Sequence, residues 1–357
     1  MNNNITLLIL THKRNAFLIN KINYYKNFGF QILIADSSDE KLEFEFSENI
    51  KYLHFPNMEL FEKFTLSIDE LRTKYIHICS DDDFILKDFV TTSYNFLENN
   101  SDYSSVLGRA IGFKFDNDNL DTQPIYFKTQ RNINYDDIEL RIDSLSKVYF
   151  HNFYSLYRLE NLKLINNYIK KYHIYDFNMI ERFIAMSSII LGKWKLLDEL
   201  HMARDAILVY KKGTSSDTRG LLENYIESNS KEAISLKEAL SDFLFNFSDE
   251  LSKDKSEIII SNSLESYKKE WVEKNRRKYF DVRPSSKFEL AIKKILCTIL
   301  GKNSCNLINK FHWETRKNIL IKKTKKFKAY PYYYPNKDWD LLANIIINMR
   351  EVYEKNK

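Results

Sequence analysis

Apolar and polar positions along this chain change period several times, and each change marks an element. Ile5 to Leu10 is a continuous apolar run of strand length, and Ala16 to Phe28 follows with helical spacing. Short apolar runs at Gln31 to Ala35 and Ile50 to Phe55 predict two more strands. Between residues 58 and 73, Met58, Phe61, Phe64, Ile68 and Leu71 recur every three or four positions, which predicts a helix. The run Tyr75-Ile76-His77-Ile78-Cys79-Ser80 predicts a fourth strand. Strands alternating with helices in this way build a doubly wound, mostly parallel α/β sheet, whose ligand crevice lies beyond the carboxyl ends of the strands. Three polar clusters fall at those ends: Thr11-His12-Lys13-Arg14, Asp36-Ser37-Ser38-Asp39, and Ser80 to Asp83.

The pattern continues with a helix over Lys87 to Asn99 and a strand over Tyr103 to Ile111. Residues 112 to 134 are polar and irregular, with Asp116-Asn117-Asp118-Asn119 as a turn between hairpin strands. A helix over Tyr135 to Lys147, a strand over Phe153 to Tyr157, helices over Leu159 to Lys171 and Asn178 to Leu191, and a last strand over Trp194 to Leu200 complete a first domain, which closes near residue 210. Residues 211 to 357 read as a basic, mainly helical region. Within it, residues 286 to 300 place Phe288, Ile292 and Ile299 on one face, with Lys287, Lys293 and Lys294 largely elsewhere. Such a helix packs on its neighbours or lies on an anionic membrane surface.

Composition narrows the class. With 44% apolar and 15% aromatic residues in a chain of 357, there is ample material for a large domain and a smaller second region. Cys79, Cys297 and Cys305 make neither a disulfide framework nor a zinc pattern, which fits a reducing cytoplasm. The apolar run after Thr6 is too short for a signal sequence, and no stretch approaches the roughly 20 apolar residues of a membrane span. The net charge of +5 conceals a split: residues 251 to 357 carry 25 Lys and Arg against 12 Asp and Glu, and residues 1 to 250 carry 29 against 37. A basic tail on an acidic body suits peripheral contact with the inner face of a membrane, and the run Lys322 to Lys326 before Tyr330-Pro331-Tyr332-Tyr333-Tyr334-Pro335 reads the same way or as a solvated helix end. Nucleic-acid binding is disfavoured, because the basic excess is confined to the tail and no reader module is visible.

Asp81-Asp82-Asp83 carries the most chemistry. Three adjacent carboxylates at the mouth of a buried strand repel one another and lose hydration, so they need a cation or hydrogen-bond donors. A divalent ion holding a phosphate meets that need.

On these residues the first 210 positions resemble the glycosyltransferases of the GT-A fold, especially family 2. The resemblance rests on Ile5 to Leu10 leading into Thr11-His12-Lys13-Arg14, on the strand ending at Asp36, and on Ile76 to Ser80 ending in a D-x-D-type run. It also rests on Tyr175-Asp176-Phe177-Asn178-Met179-Ile180-Glu181-Arg182, which is similar to the family's E-D-x-D-L-x-x-R segment and departs from it at Tyr175 and Asn178. It implies a GT-A, Rossmann-like mixed sheet and a metal-dependent, inverting transfer of a sugar from a nucleotide donor, UDP- or GDP-linked, to a glycan or lipid-linked acceptor of a bacterial surface polysaccharide of capsule or lipopolysaccharide type. Asp83, with Asp81 and His201, would hold Mg²⁺ or Mn²⁺, Asp81 touching the ribose or sharing the ion, and Asp82 could stand in for either aspartate. Thr11, Arg14, Asp36, Lys63 and Asp81 would bind the nucleotide, Asp176 or else Glu181 would be the general base, and His151 and Asn152 would face the sugar or acceptor. Asp176 reads equally as the N-cap of the following helix, and the two roles are compatible. Two other classes remain: a nucleotidyltransferase, which the glycine-free first loop argues against, and an inactive glycan-binding scaffold.

Overall fold

Ile5–Thr11 (β1) lies at the centre of a parallel array, paired on one side with Gln31–Asp36 (β2) and on the other with Tyr75–Ser80 (β4), while Ile50–His54 (β3) adds to β2. The register places Thr11 opposite Asp36 and Leu10 opposite Ser80. All three polar clusters therefore reach one edge, as the alternation predicts. β1, β2 and β4 are buried on both faces because helices cover both sides, which is why they read as unbroken apolar runs. Asn15–Tyr25 (α1) belongs to the cluster on one face with Leu18, Ile22 and Tyr25, and Leu60–Glu70 (α2) to the cluster on the other with Phe64 and Ile68.

The computed structural model describes residues 4–116, 119–125, 129–205, 230–248 and 250–273. The expected helix at 286–300, the basic run and tyrosines of 322–335, Cys297, Cys305 and the boundary near 210 lie outside the described residues.

Beyond β4 the sheet becomes mixed. Its order is β3-β2-β1-β4-β8-β6-β9-β5, with β7 added on β6. The added strands are Asp83–Ile85 (β5), Tyr103–Asp116 (β6), Asn119–Ile125 (β7), Leu156–Arg158 (β8) and Lys193–Asp205 (β9). Several expectations are corrected here. β6 runs five residues past the expected end at Ile111, as the first arm of the hairpin with β7 that the sequence predicts. The strand expected over Phe153 to Tyr157 shortens to β8, because the Asn152 carbonyl accepts from the Ser155 amide and hydroxyl and from the Tyr157 hydroxyl, fixing a turn ahead of it. A short strand that the sequence did not predict follows the aspartate run: Asp83 opens β5, antiparallel to β9, directly opposite Arg204.

Lys87–Asn99 (α3), Ile138–Lys147 (α4) and Leu159–Lys171 (α5) pack around this sheet, and Phe177–Leu191 (α6) lies inside the core. α6 buries Met179, Ile180, Phe183, Ile184, Met186, Ile189 and Ile190 around most of its circumference, so a second layer must cover it. Lys231–Asn246 (α7) and Lys253–Glu273 (α8) supply that layer: Leu236, Leu240, Phe243, Leu244, Ile260 and Leu264 join the same buried cluster. The described helices beyond residue 230 thus share the core of the preceding residues.

Candidate active site

The edge beyond β1, β2 and β4 is held together by its own charges. Thr11 Oγ1 donates to Asp81 Oδ2 at 2.8 Å, and Arg14 Nη1 donates to Asp81 Oδ1 at 2.6 Å and approaches Asp82 Oδ2 at 3.6 Å. Lys63 is a helix residue, yet it is 1% exposed. Its ammonium reaches from α2 to the Thr11 carbonyl and the Ser37 hydroxyl, tying the ends of β1 and β2 together. Burial pulls that ammonium down to about 8, against the opposing pull of Asp81 and Asp36. Asp36 is fully buried, with Oδ1 accepting from the Ser38 amide and hydroxyl and Oδ2 from Tyr52 at 2.7 Å. The first loop turns at Lys13, where φ is 55°, a conformation that glycine adopts without strain and lysine does not.

Asp83 is fully buried and receives both Nε and Nη2 of Arg204, at 3.0 and 2.9 Å. A two-point guanidinium–carboxylate contact of this kind is strong and directional. Lys21 of α1 is sealed beneath, its ammonium 3.3 Å from the centre of the Phe84 ring and within electrostatic reach of all three aspartates. Burial pushes the Asp81 and Asp83 carboxyls up, opposed by Arg14 and by Arg204 respectively. The repulsion that called for a metal is therefore met by protein cations.

A resident Mg²⁺ or Mn²⁺ would need carboxylate oxygens with room to coordinate. Both oxygens of Asp81 and both of Asp83 are engaged as just described. His201 lies elsewhere: it is fully buried, with Nε2 2.8 Å from Nε2 of His77 and its ring against Phe89. Gly108 makes room for it, since a Cβ there would meet the His201 Cβ at 2.6 Å. Among the described residues no group of three His, Cys, Asp or Glu is arranged to hold a metal. As folded, Asp81, Asp83 and His201 do not form a ligand set for a resident divalent ion.

A second cluster forms where the segment before β8 meets α6. His151 Nδ1 lies 2.6 Å from Glu181 Oε1, which also accepts from the Tyr149 hydroxyl at 3.2 Å. The next residue on α6, Arg182, lies between the rings of Tyr149 and Tyr267, 3.1 and 3.9 Å from their centres. Asp176 caps α6, its Oδ1 accepting from the Asn178 amide at 2.8 Å and the Met179 amide at 3.2 Å. Asn152 is fully buried, and among the described residues neither side-chain polar atom finds a partner. Tyr154 joins the two clusters: its ring lies 4.6 Å from the Arg204 guanidinium, and its hydroxyl feels Asp82, Asp83 and Glu181 together. Burial and those carboxylates push the Tyr154 phenol well above its ordinary range.

Neither protein-family models nor curated proteins match this sequence. Among solved structures, it is similar to S. aureus TarS 1-349 in complex with UDP-GlcNAc, at 12% identity and a TM-score of 0.48, over 75% of this chain and 72% of that one. It is also similar to S. aureus TarS 1-349 in complex with UDP, at 10% identity and a TM-score of 0.39, over 80% of this chain and 98% of that one.

Of the residues singled out in the sequence, Thr11, Arg14, Asp36, Lys63, Asp81 and Asp83 share one edge, and His151, Asn152, Asp176 and Glu181 gather around the start of α6. His201 stands apart from both. Lys21, Tyr154 and Arg204 were not anticipated as part of the site. A basic residue three positions beyond His201 was visible, but only the β5–β9 register brings it to Asp83. A cleft of 590 Å³ between α5, α7 and α8, lined by Tyr172, Lys237, Asp242 and Glu257, belongs to neither cluster.

Proposed function

We propose that this chain is a glycosyltransferase that moves a sugar from a nucleotide-sugar donor to an acceptor hydroxyl. The observation that carries the reading is the convergence of Thr11, Arg14, Lys63 and Asp81 at the carboxyl edge of β1, β2 and β4, beside a second polar cluster reached through Tyr154. The first group suits a nucleoside diphosphate: the edge is where open α/β sheets bind ligands, and Arg14 is a planar, permanently charged donor suited to phosphate. The second group suits an acceptor hydroxyl, since it holds a histidine within hydrogen-bond reach of a carboxylate. Charge growing on the departing diphosphate would be met by Arg14, with Arg204 and Lys21 fixing the aspartates beneath it. No step in this reading runs through a metal.

An inverting outcome belongs to the proposal, as a single displacement at the anomeric carbon by the acceptor oxygen. So does the acceptor class, a hydroxyl of a bacterial surface glycan, lipid-linked or polymeric. Contact with the inner face of a membrane rests on the charge split of the sequence. Among the described residues no helix is long and apolar enough to cross a membrane.

The test incubates the full chain with UDP-, GDP- and CDP-sugars, UDP-GlcNAc among them, and follows nucleoside diphosphate release, product anomer and nucleotide binding, in EDTA and in Mn²⁺. Binding and release of a nucleoside diphosphate are expected, with binding retained in EDTA. No binding and no release with any donor would overturn the reading, and release of pyrophosphate would move the chain to the nucleotidyltransferases. A strict requirement for Mn²⁺ would return Asp81 and Asp83 to the metal role that the sequence resemblance implies.

A further inference from the structure

We propose that His151 accepts the proton of the attacking hydroxyl and that Glu181 positions it, leaving Asp176 to cap the helix; this rests on the glycosyltransferase reading. His151 and Glu181 are thirty positions apart, brought together where the segment before β8 crosses the second turn of α6. Their contact of 2.6 Å engages Nδ1, so with its Nδ1–H donated to the carboxylate the ring carries its lone pair on Nε2. The His151 side chain is 35% exposed and that of Glu181 only 14%, so the proton acceptor faces outward while its anchor is sheltered.

The anchor is itself fixed. Glu181 accepts from Tyr149, and the Tyr149 ring is stacked by Arg182, which is clamped from the far side by Tyr267 of α8. The charged and titratable groups facing the dyad include Tyr149 from its own segment, Arg182 from α6, Tyr267 from α8 and Tyr157 of β8, which feels Glu181. Beyond them, Tyr154 carries electrostatic contact to Asp82, Asp83 and Arg204. Asp176 is less suited as the base, because its Oδ1 is already held by two backbone amides at the start of α6.

The step balances as a single displacement. The acceptor O–H bond breaks and its proton passes to Nε2 of His151. The freed oxygen pair forms the bond to the anomeric carbon, whose bond to the diphosphate oxygen breaks, the electron pair leaving with the nucleoside diphosphate.

The experiment compares His151→Gln, Glu181→Gln, Glu181→Asp and Asp176→Asn in the full chain, reading kcat, donor KM and thermal unfolding. His151→Gln is expected to lose about a hundredfold or more in kcat, the scale of a general base, with donor KM within about threefold. Glu181→Gln is expected to lower kcat about tenfold or more with donor KM little changed, because the ring loses the partner that orients it, and Glu181→Asp to restore part of that loss. Asp176→Asn, which keeps a good cap, is expected to lose less than about tenfold. The assignment is overturned if folded His151→Gln stays within about fivefold of the native kcat, or if folded Glu181→Gln keeps the native kcat. It is overturned equally if Asp176→Asn abolishes turnover while His151→Gln does not. In these cases donor turnover by the native chain leaves the glycosyltransferase reading standing; a native chain that binds no nucleotide removes both.

Discussion

The two polar clusters of this molecule are built on opposite plans. At the edge of β1, β2 and β4, carboxylates and cations are sealed into the sheet: Asp36, Asp83, Lys21 and Lys63 are at most 1% exposed, and their partners are strand ends and buried side chains. At the start of α6, the His151–Glu181 pair stands half open, braced by aromatic rings and an arginine in place of strands. The first arrangement ties its polar groups to folding, so changing them disturbs the sheet. The second keeps its pair apart from the sheet, so it can change at little structural cost.

Substitutions should expose that difference, beginning with the largest. Asp83→Ala leaves the Arg204 guanidinium without its two-point partner, and breaking a buried pair in this way costs about 3–5 kcal/mol. Urea unfolding should show the fall, and a native midpoint would mean that the pair is not holding β5 to β9.

Next in size is a response to acid. Burial lowers His77 to about 4, and His201 also falls well below its ordinary range through burial, the neighbouring imidazole and Arg204. Both are neutral in the folded chain and titrate near 6.5 when unfolded. Their contribution is therefore complete above pH 6.5 and is lost as pH falls toward 4, where the unfolded chain binds more protons. For His77 alone the loss is about 3 kcal/mol by pH 4. Unfolding measured from pH 7 to 4 should show this slope, and His77→Gln should flatten it.

Smaller effects belong to α6. Asp176→Ala removes two hydrogen bonds at the first turn and should cost about 1 kcal/mol, read from the thermal midpoint. His151→Gln should change stability by less than about 1 kcal/mol, as suits a pair near the surface. A large loss of stability in this variant would erase the contrast between the clusters.

Much of the edge beyond β1, β2 and β4 was legible because its parts are local: an apolar run ending in Thr11, Asp36 or Ser80 declares both a strand and the residues at its mouth. Asp81 and Arg14 meet because β1 and β4 are neighbours, which the alternation implies. What stayed hidden needed register over long separations. Arg204 reaches Asp83 only because three residues, too few to show a period, pair as β5 with the far end of β9. His201 follows apolar residues in either reading, and only the packed structure shows it sealed against His77 and not facing the crevice. Lys63 was named from the resemblance alone, since a helical lysine reads as well as a solvated one and a sequence does not reveal how far a four-carbon stem can reach inward.

The layer laid over α6 has a practical consequence. A fragment stopped near residue 210 would keep the sheet and both polar clusters but strip Leu236, Leu240, Phe243 and Ile260 from α6 and Tyr267 from Arg182. The bared stripe is the sort of surface that drives aggregation during expression. The shortest fragment worth producing for crystallisation or kinetics therefore extends through Glu273, well past the last strand of the sheet.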